Sequence, residues 1–281
     1  MRSRVMDVLF TTGMMIAVAA VAAVFLWLLG DVLWHGLAKL SWAFLTTGPL
    51  DAGRSGGIAP ILVSTLLILS VAIAAAAPIG LGAAVWLAEY TRRDGAGAGA
   101  VRLGLDLLAG VPSIVFGLFG NAFFSVYLGM GFSILAGGLT LACMILPILI
   151  RTSEAGLAAV NEDWRRAAAA LGMSRASAVL RVLLPAAASA ITAGLLLGIG
   201  RATAETAALI FTSGYVDRMP ESLSDSGRAL AVHIYDLSMN VTGGDASAYA
   251  SAVVLIILII VINSTAVALS DHWLTRRVTT P

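Results

Sequence analysis

Lysine is almost missing from this chain: of 17 basic residues only Lys39, in the run GLAKLS, is lysine. A Walker A loop needs a lysine behind a glycine-rich turn, so the chain cannot cradle a nucleotide that way. Cysteine is as scarce. Cys143 stands alone, which excludes an internal disulfide or a cysteine metal cluster and leaves a small packing residue. His35, His233 and His272 lie far apart, without ligand spacing to one another or to Cys143, and read as interfacial or loop residues. Charge is thin as well, at 12% of residues against 59% hydrophobic. With a mean hydropathy of +0.94, the helices of this chain cannot all face water, so lipid is their solvent.

A membrane span takes about 20 mostly apolar residues to cross roughly 30 Å of hydrocarbon. Six segments qualify, near 8–29, 61–88, 105–126, 132–150, 189–212 and 250–270. They predict an all-α, polytopic membrane helix bundle. Between them fall a polar loop at 31–60, a short basic turn at 91–104, a tight turn near Gly129 to Gly131, an arginine-rich insert, and a polar loop at 213–249. The DGAGAGAV run at 94–101 has no GxGxxG spacing and follows no strand, so it reads as a flexible turn. Pro78, Pro112 and Pro147 interrupt helical hydrogen bonding inside apolar segments and predict kinks.

The start, MRSRVMDV, has the charge of a signal peptide, but the long apolar run behind it carries no A-x-A-like cleavage site, and a retained span is expected. With six alternating crossings and the N-terminus inside, 12 of the 17 basic residues fall on one side: the N-terminus, 91–104, the insert with Arg151 at its edge, and Arg276 and Arg277. Lys39, Arg54, Arg218 and Arg228 fall on the other side, and Arg201 within a span. That bias predicts both termini and the insert in the cytoplasm. Basic residues spread over a membrane face give no support for nucleic-acid binding. Asp217, Glu221, Asp225, Asp236 and Asp245 in the last polar loop read as a solvated face.

The insert, NEDWRRAAAALGMSRASAVLRVLLP from Asn161 to Pro185, divides into a helix from Asp163 to Leu171, a break at Gly172, and a second helix capped by Ser174 and ended by Pro185. Trp164 and Leu171 are apolar anchors seven apart on one face, Ala167 and Ala168 permit close approach to a groove, and Arg165 and Arg166 add charge. Such a knob suits docking on a soluble partner. A helix lying on the lipid surface is the plainer reading, but it does not require the glycine and the Leu-Pro at those offsets.

The fifth span contains GIGRATAETAALIFTSGY, from Gly198 to Tyr215, with Arg201 and Glu205 four apart and so on one helix face. Charges at membrane depth are expensive and face a bundle interior or a wet cavity. Either the two residues pair and hold the bundle together, or Arg201 offers a planar donor fork to an oxyanion while Glu205 orients it or limits how tightly the anion binds. Thr203 and Thr206 add hydroxyl donors. A carboxylate can accept a hydrogen bond from a protonated oxyanion, which tilts the choice toward phosphate over sulfate.

The insert resembles the EAA loop of permease subunits of bacterial ABC importers: E-A-A, three residues, glycine, nine residues, Ile-x-Leu-Pro. Ala167, Ala168, Gly172, Val182, Leu184 and Pro185 fall at matching positions, while Arg166 replaces the glutamate and removes an acidic contact to the ATPase. The fifth-span segment resembles the GRAxGETA signature of phosphate importer permeases, with Ala204 where that signature has glycine. GIAPILVSTL (57–66), PIGLGAAVWLAEY (78–90), GVPSIVFGLF (110–119), LPILIRTSE (146–154) and ALAVHIYDLS (229–238) follow the same family's order, so the resemblance covers nearly the whole chain. One span before GIAPIL, together with LPILIRTSE, makes it look like the PstA-type subunit.

The resemblance implies a MetI-like type I ABC permease fold, with an N-terminal helix and outer loop over 1–60 and a transmembrane domain over 61–281 that carries the coupling loop at about 151–188. It implies a non-catalytic permease without cofactor in the bacterial inner membrane, forming half of a gated path. The implied partners are a PstC-type second permease, a pair of PstB-type ATP-binding subunits on the knobs, an extracytoplasmic phosphate-binding protein, and phosphate. Arg151 and Arg201 carry over as important for translocation, and ATPase closure would move the knob as a rigid body. The alternatives are an ABC permease for another oxyanion, such as sulfate or molybdate, and an ion-coupled secondary transporter, which has no use for the knob.

Overall fold

The computed structural model describes residues 2–92 and 95–278, with side chains over 6–7, 9–92 and 95–268. The chain opens with α1 (Arg2–Leu37), α2 (Trp42–Thr46) and a hairpin of β1 (Pro49–Leu50) and β2 (Ser55–Gly56). Next come α3 (Ala59–Val85), which ends in a π-helical turn Trp86–Tyr90, α4 (Ala96–Ala109), and α5 (Ser113–Gly120) with a second π turn Asn121–Tyr127. After α6 (Ile134–Ala158) and α7 (Glu162–Ala170), α8 (Arg175–Ala178) continues through a π turn Val179–Leu183 into α9 (Leu184–Ala186). The rest is α10 (Ala188–Thr203), α11 (Ala207–Ile210), α12 (Leu230–Met239) and α13 (Asp245–Val278).

Among the described residues four stretches, Leu9–Leu37, Ala59–Tyr90, Ile134–Ala158 and Asp245–Ala268, are long and apolar enough to cross a membrane, and the number is six if each of two bent helix pairs counts as one span. The third expected span is one of the bent pairs: α4 and the α5 stretch meet at 103°. Pro112 sits at the corner as the residue before α5. It disfavours helical geometry at Val111 and brings no N–H of its own, and here the helix stops and restarts. The other bent pair joins the second knob helix, Arg175–Ala186, to Ala188–Thr203 at 70°, and the helix of the fifth expected span ends at Thr203, short of 212. Pro78 and Pro147, by contrast, lie inside the unbroken helices α3 and α6.

The glycine-rich 94–101 run is not a flexible turn over its described part, because α4 starts at Ala96. Its Ala98 and Leu105 are buried against Ala84 and Leu87 of the second span and Ile150 of α6, and tertiary burial of that face overrides the poor helix propensity of glycine. Of the basic residues in the charge count, Arg93 lies outside the described residues, as do the side chains of Arg2, Arg4, Arg276 and Arg277.

The core sits between α3 and α6, the most extensively packed pair, with α10 laid against α6 and α13. Ile68, Leu69, Ala72 and Ala76 of α3 meet Leu141, Ala142, Met144 and Ile145 of α6, together with Ala202 of α10. Gly138 permits this approach, since a Cβ there would stand 2.5 Å from Val71 Cγ1 and 3.0 Å from the Ile68 carbonyl oxygen. α1 stands apart, exposed along its most apolar stretch and packed on α13.

At the end away from the knob, the loop after α11 folds back over α6: Ser133 donates to the Thr212 carbonyl and Ile134 to that of Asp225. The acids of this loop are not all a solvated face, because Asp236 pairs with Arg228 at 3.2 Å and both are largely buried. Nor is His233 an exposed loop residue; it is fully buried, while the His272 side chain lies outside the described residues. Arg228 donates to the Tyr215 carbonyl at 2.8 Å and to His233 Nδ1 at 3.4 Å. Nε2 therefore carries the ring proton, without a partner among the described residues.

Burial first, and then the Arg228 charge, push His233 down to about 4 against partial opposition from Asp236. The unfolded chain binds this proton from pH 6.5 downward and the fold only near 4, so stability is complete above 6.5 and declines as pH falls through that window. Between pH 7.5 and 4.5 this group is expected to remove on the order of 2 kcal/mol. Unfolding in detergent at both pH values, for the wild type and His233→Gln, checks this: the variant should lose that increment of acid sensitivity.

Candidate coupling knob and anion site

The knob forms as the sequence predicts, with α7 shifted by one residue. Asn161 caps it, its side chain accepting from the Asp163 N–H. At the other end Gly172 takes φ +71, Met173 donates to the Ala168 carbonyl, and Gly172 donates to that of Ala169. These two bonds close the left-handed turn that ends a helix, a conformation that costs a residue with a Cβ. Ser174 then caps α8, accepting from Ser177. Pro185 does not itself end the second helix. It lies within α9, and the chain turns two residues later at Ala187, beyond a π turn that absorbs the missing N–H.

The knob's side chains divide into two sets. Trp164 at 56% and Leu171 at 80% are exposed, as are Ala167 and Gly172. Arg166 is exposed too, with one loose pairing to Asp163 at 3.8 Å. Ala168 is buried. Arg165 also turns inward, meeting Glu89 at 2.6 Å and donating to the carbonyls of Leu157 and Val160 at 2.8 Å. The hydrogen bond to Glu89 raises its pKa above the ordinary arginine value, against the cost of burial.

Arg151 lies at the knob end of α6, within a network the sequence does not announce. It pairs with Asp106 at 3.0 Å and Glu154 at 3.2 Å, and Glu154 also holds Arg102 at 2.7 Å. The signal was the spacing: Arg102 and Asp106 are four apart on α4, and Arg151 and Glu154 three apart on α6, so two helix faces of mixed charge can meet.

In the fifth span the shared helix face for Arg201 and Glu205 does not exist. α10 ends at Thr203, whose hydroxyl bonds back to the Ile199 carbonyl at 2.7 Å. Ala204 to Thr206 are unwound before the short α11. Glu205, buried, accepts from the Ala208 N–H at 3.1 Å, so its carboxylate caps α11 instead of facing Arg201. Thr203 is buried and Thr206 half-buried at the break. Arg201 is half-buried in the last turn of α10. No hydrogen bond or ion pair among the described residues holds its guanidinium, so a permanently charged donor fork remains open beside an unwound stretch.

Residues 76–280 match the family described as binding-protein-dependent transport system inner membrane component. The chain is 31% identical to the probable ABC transporter permease protein YqgI of Bacillus subtilis, over 98% of its own length and 96% of that protein. It is 29% identical to the phosphate transport system permease protein PstA 2 of Mycobacterium bovis, over 80% of this chain and 74% of that one. Among solved structures, it overlays a bacterial ABC transporter involved in alginate import with a TM-score of 0.63 at 14% identity, over 94% of this chain and 96% of that one. The inward-facing MetNI methionine transporter gives 0.57 at 19% identity, over 76% and 95%; at such identities the likeness is one of fold, that of MetI-like importer permeases. The chain belongs to the binding-protein-dependent transport system inner membrane component family.

Proposed function

We propose that this chain is the PstA-type membrane subunit of an ATP-driven phosphate importer. It forms half of the translocation path with a PstC-type permease, receives phosphate from an extracytoplasmic binding protein, and docks through its knob on a pair of PstB-type ATPase subunits that perform the hydrolysis. Residues 61–281 make up the transport domain, with the coupling loop at about 151–188, while 1–60 contribute a peripheral helix and an outer cap. Both termini and the knob face the cytoplasm of a bacterial inner membrane, in keeping with the bias of Lys and Arg.

The observation that carries the ATPase coupling is the exposure of Trp164 and Leu171 on a knob whose other face is bolted down by Arg165. Large apolar side chains held rigidly outward are anchors for a partner groove. Phosphate is supported by relatives named for phosphate transport and by the open guanidinium of Arg201, with Thr203 and Thr206 beside it. Arg151 stands at the knob-end mouth of the path.

Truncating both anchors, Trp164→Ala with Leu171→Ala, is expected to cut copurification of the ATPase subunit at least about tenfold, as loss of a hot-spot pair does. Pull-down from solubilised membranes with the permease pair intact measures it. Undiminished capture would move the docking surface off this knob.

A further inference from the structure

The knob is gripped at two points by the end of α3. Glu89 and Tyr90 close the π-helical turn there, and the Glu89 side chain is 8% exposed. Arg165 of α7 clamps it with Nη2 at 2.6 Å from Oε1 and Nε at 3.2 Å from each oxygen. The same guanidinium reaches the Leu157 and Val160 carbonyls at the end of α6. One residue further on, the Tyr90 ring lies 5.5 Å from the guanidinium of Arg175, on the second knob helix. A buried carboxylate at the end of a span is costly unless paired, and Glu89 belongs neither to the docking face of the knob nor to the surroundings of Arg201.

We propose that Glu89 is a positioning residue of transport: with Arg165 it forms a strut that locks the knob to the second span, so that knob movement drives α3 and α6 together. This rests on the knob being the ATPase dock. Without the strut, a displaced knob pulls on α6 through the short link at 159–161 and on α10 through α8 and α9, while its hold on the end of α3 falls to the Tyr90–Arg175 contact and the apolar packing of Val85 and Ala88, neither of which fixes direction. With it, the displacement reaches the α3–α6 pair, the most extensive contact of the core. A forked arginine–carboxylate pair fixes direction as well as distance, and its burial shields it from salt. The π turn supports this role, since the wider helical turn lets two successive residues, Glu89 and Tyr90, face the knob.

The test uses the whole complex with its ATPase subunits, reconstituted in vesicles and supplied with the phosphate-binding protein and labelled phosphate. Glu89→Gln keeps the side-chain volume and removes the charge. ATPase copurification is expected to stay at the wild-type level, because Trp164 and Leu171 are untouched. Phosphate imported per ATP hydrolysed is expected to fall about tenfold, within the range of ordinary coupling energies. Arg165→Lys, which keeps charge without the fork, should fall in between. The double variant Glu89→Gln with Arg165→Gln should cost no more than the worse single one. Spin labels at Arg92→Cys and Ala170→Cys in a Cys143→Ser background should keep one separation in the nucleotide-free and vanadate-trapped complexes of the wild type, and spread when Glu89→Gln is added. Wild-type coupling and an unchanged label distance in Glu89→Gln, with the ATPase bound, would overturn the strut. A wild-type complex whose ATPase does not depend on the knob would overturn it through the docking reading, a failure recognised by the Trp164 and Leu171 pull-down and not by the coupling ratio.

Discussion

Glu154→Leu is expected to lower the stability of this chain by about 3 kcal/mol, the usual penalty for removing one partner of a buried ion pair. Glu154 is 10% exposed in its side chain and holds two arginines, Arg102 at 2.7 Å and Arg151 at 3.2 Å. Arg102 is itself only 20% exposed, and its bond to the Leu87 carbonyl, at 3.3 Å, is to a neutral acceptor that replaces little of a carboxylate. Asp106→Asn, on the outer side of the same network, should cost less than about 1 kcal/mol, because that pair is wet on both sides. Replacing Arg102 and Glu154 together with leucine should recover much of the loss, since removing a buried pair whole is far cheaper than breaking it. Equilibrium unfolding in mixed detergent micelles gives all three values. Equal costs for Glu154→Leu and Asp106→Asn would contradict the burial argument.

The network ties helix α4 to the base of α6, next to the Arg165–Glu89 pair. Together they make the knob end of the bundle a braced platform. The far end is held differently, by backbone bonds from Ser133 and Ile134 to the returning loop and by the Arg228–Asp236 pair.

Much of this was legible in the sequence because the determining signals are local. Spans follow from apolar length, and the knob follows from a cap at Ser174 and a glycine that takes φ +71 without strain. The positive φ values of Gly129 and Gly131 likewise match the tight turn expected there. What escaped is set by contacts distant in sequence. Arg165 and Arg166 are adjacent and identical in type, yet a carboxylate 76 positions away turns the first inward and leaves the second in solvent. Glu89 carried one faint signal, an acid at a span end where basic residues gather. The end of α10 at Thr203 carries none: TAET is acceptable helix sequence, and the helix stops because the chain must turn to seat Ala208 and Leu209 in the core. Hence the four-residue spacing of Arg201 and Glu205 gave a face that the fold does not keep. The glycine run before α4 failed in the opposite direction, since burial of Ala98 and Leu105 outweighs propensity.

That broken spacing sharpens the case for Arg201. Had it paired with Glu205, the two charges would compensate each other and the arginine would serve as structure. Glu205 instead caps α11, and the Arg201 guanidinium is left half-buried and open in a helix that packs on α6 and α13. On the proposed reading this fixed charge is the one that would bind an oxyanion through its forked donors, and neutralising it would remove the site without stranding a partner.

ATP-dependent uptake of labelled phosphate by vesicles carrying the complete complex, with the wild-type chain and Arg201→Gln compared and sulfate as competitor, tests the account most directly. The account predicts uptake that sulfate leaves unchanged and that Arg201→Gln reduces at least about a hundredfold, the equivalent of roughly 2.7 kcal/mol, with the ATPase subunits still bound. Normal phosphate uptake by Arg201→Gln, or wild-type uptake abolished by sulfate, would contradict it.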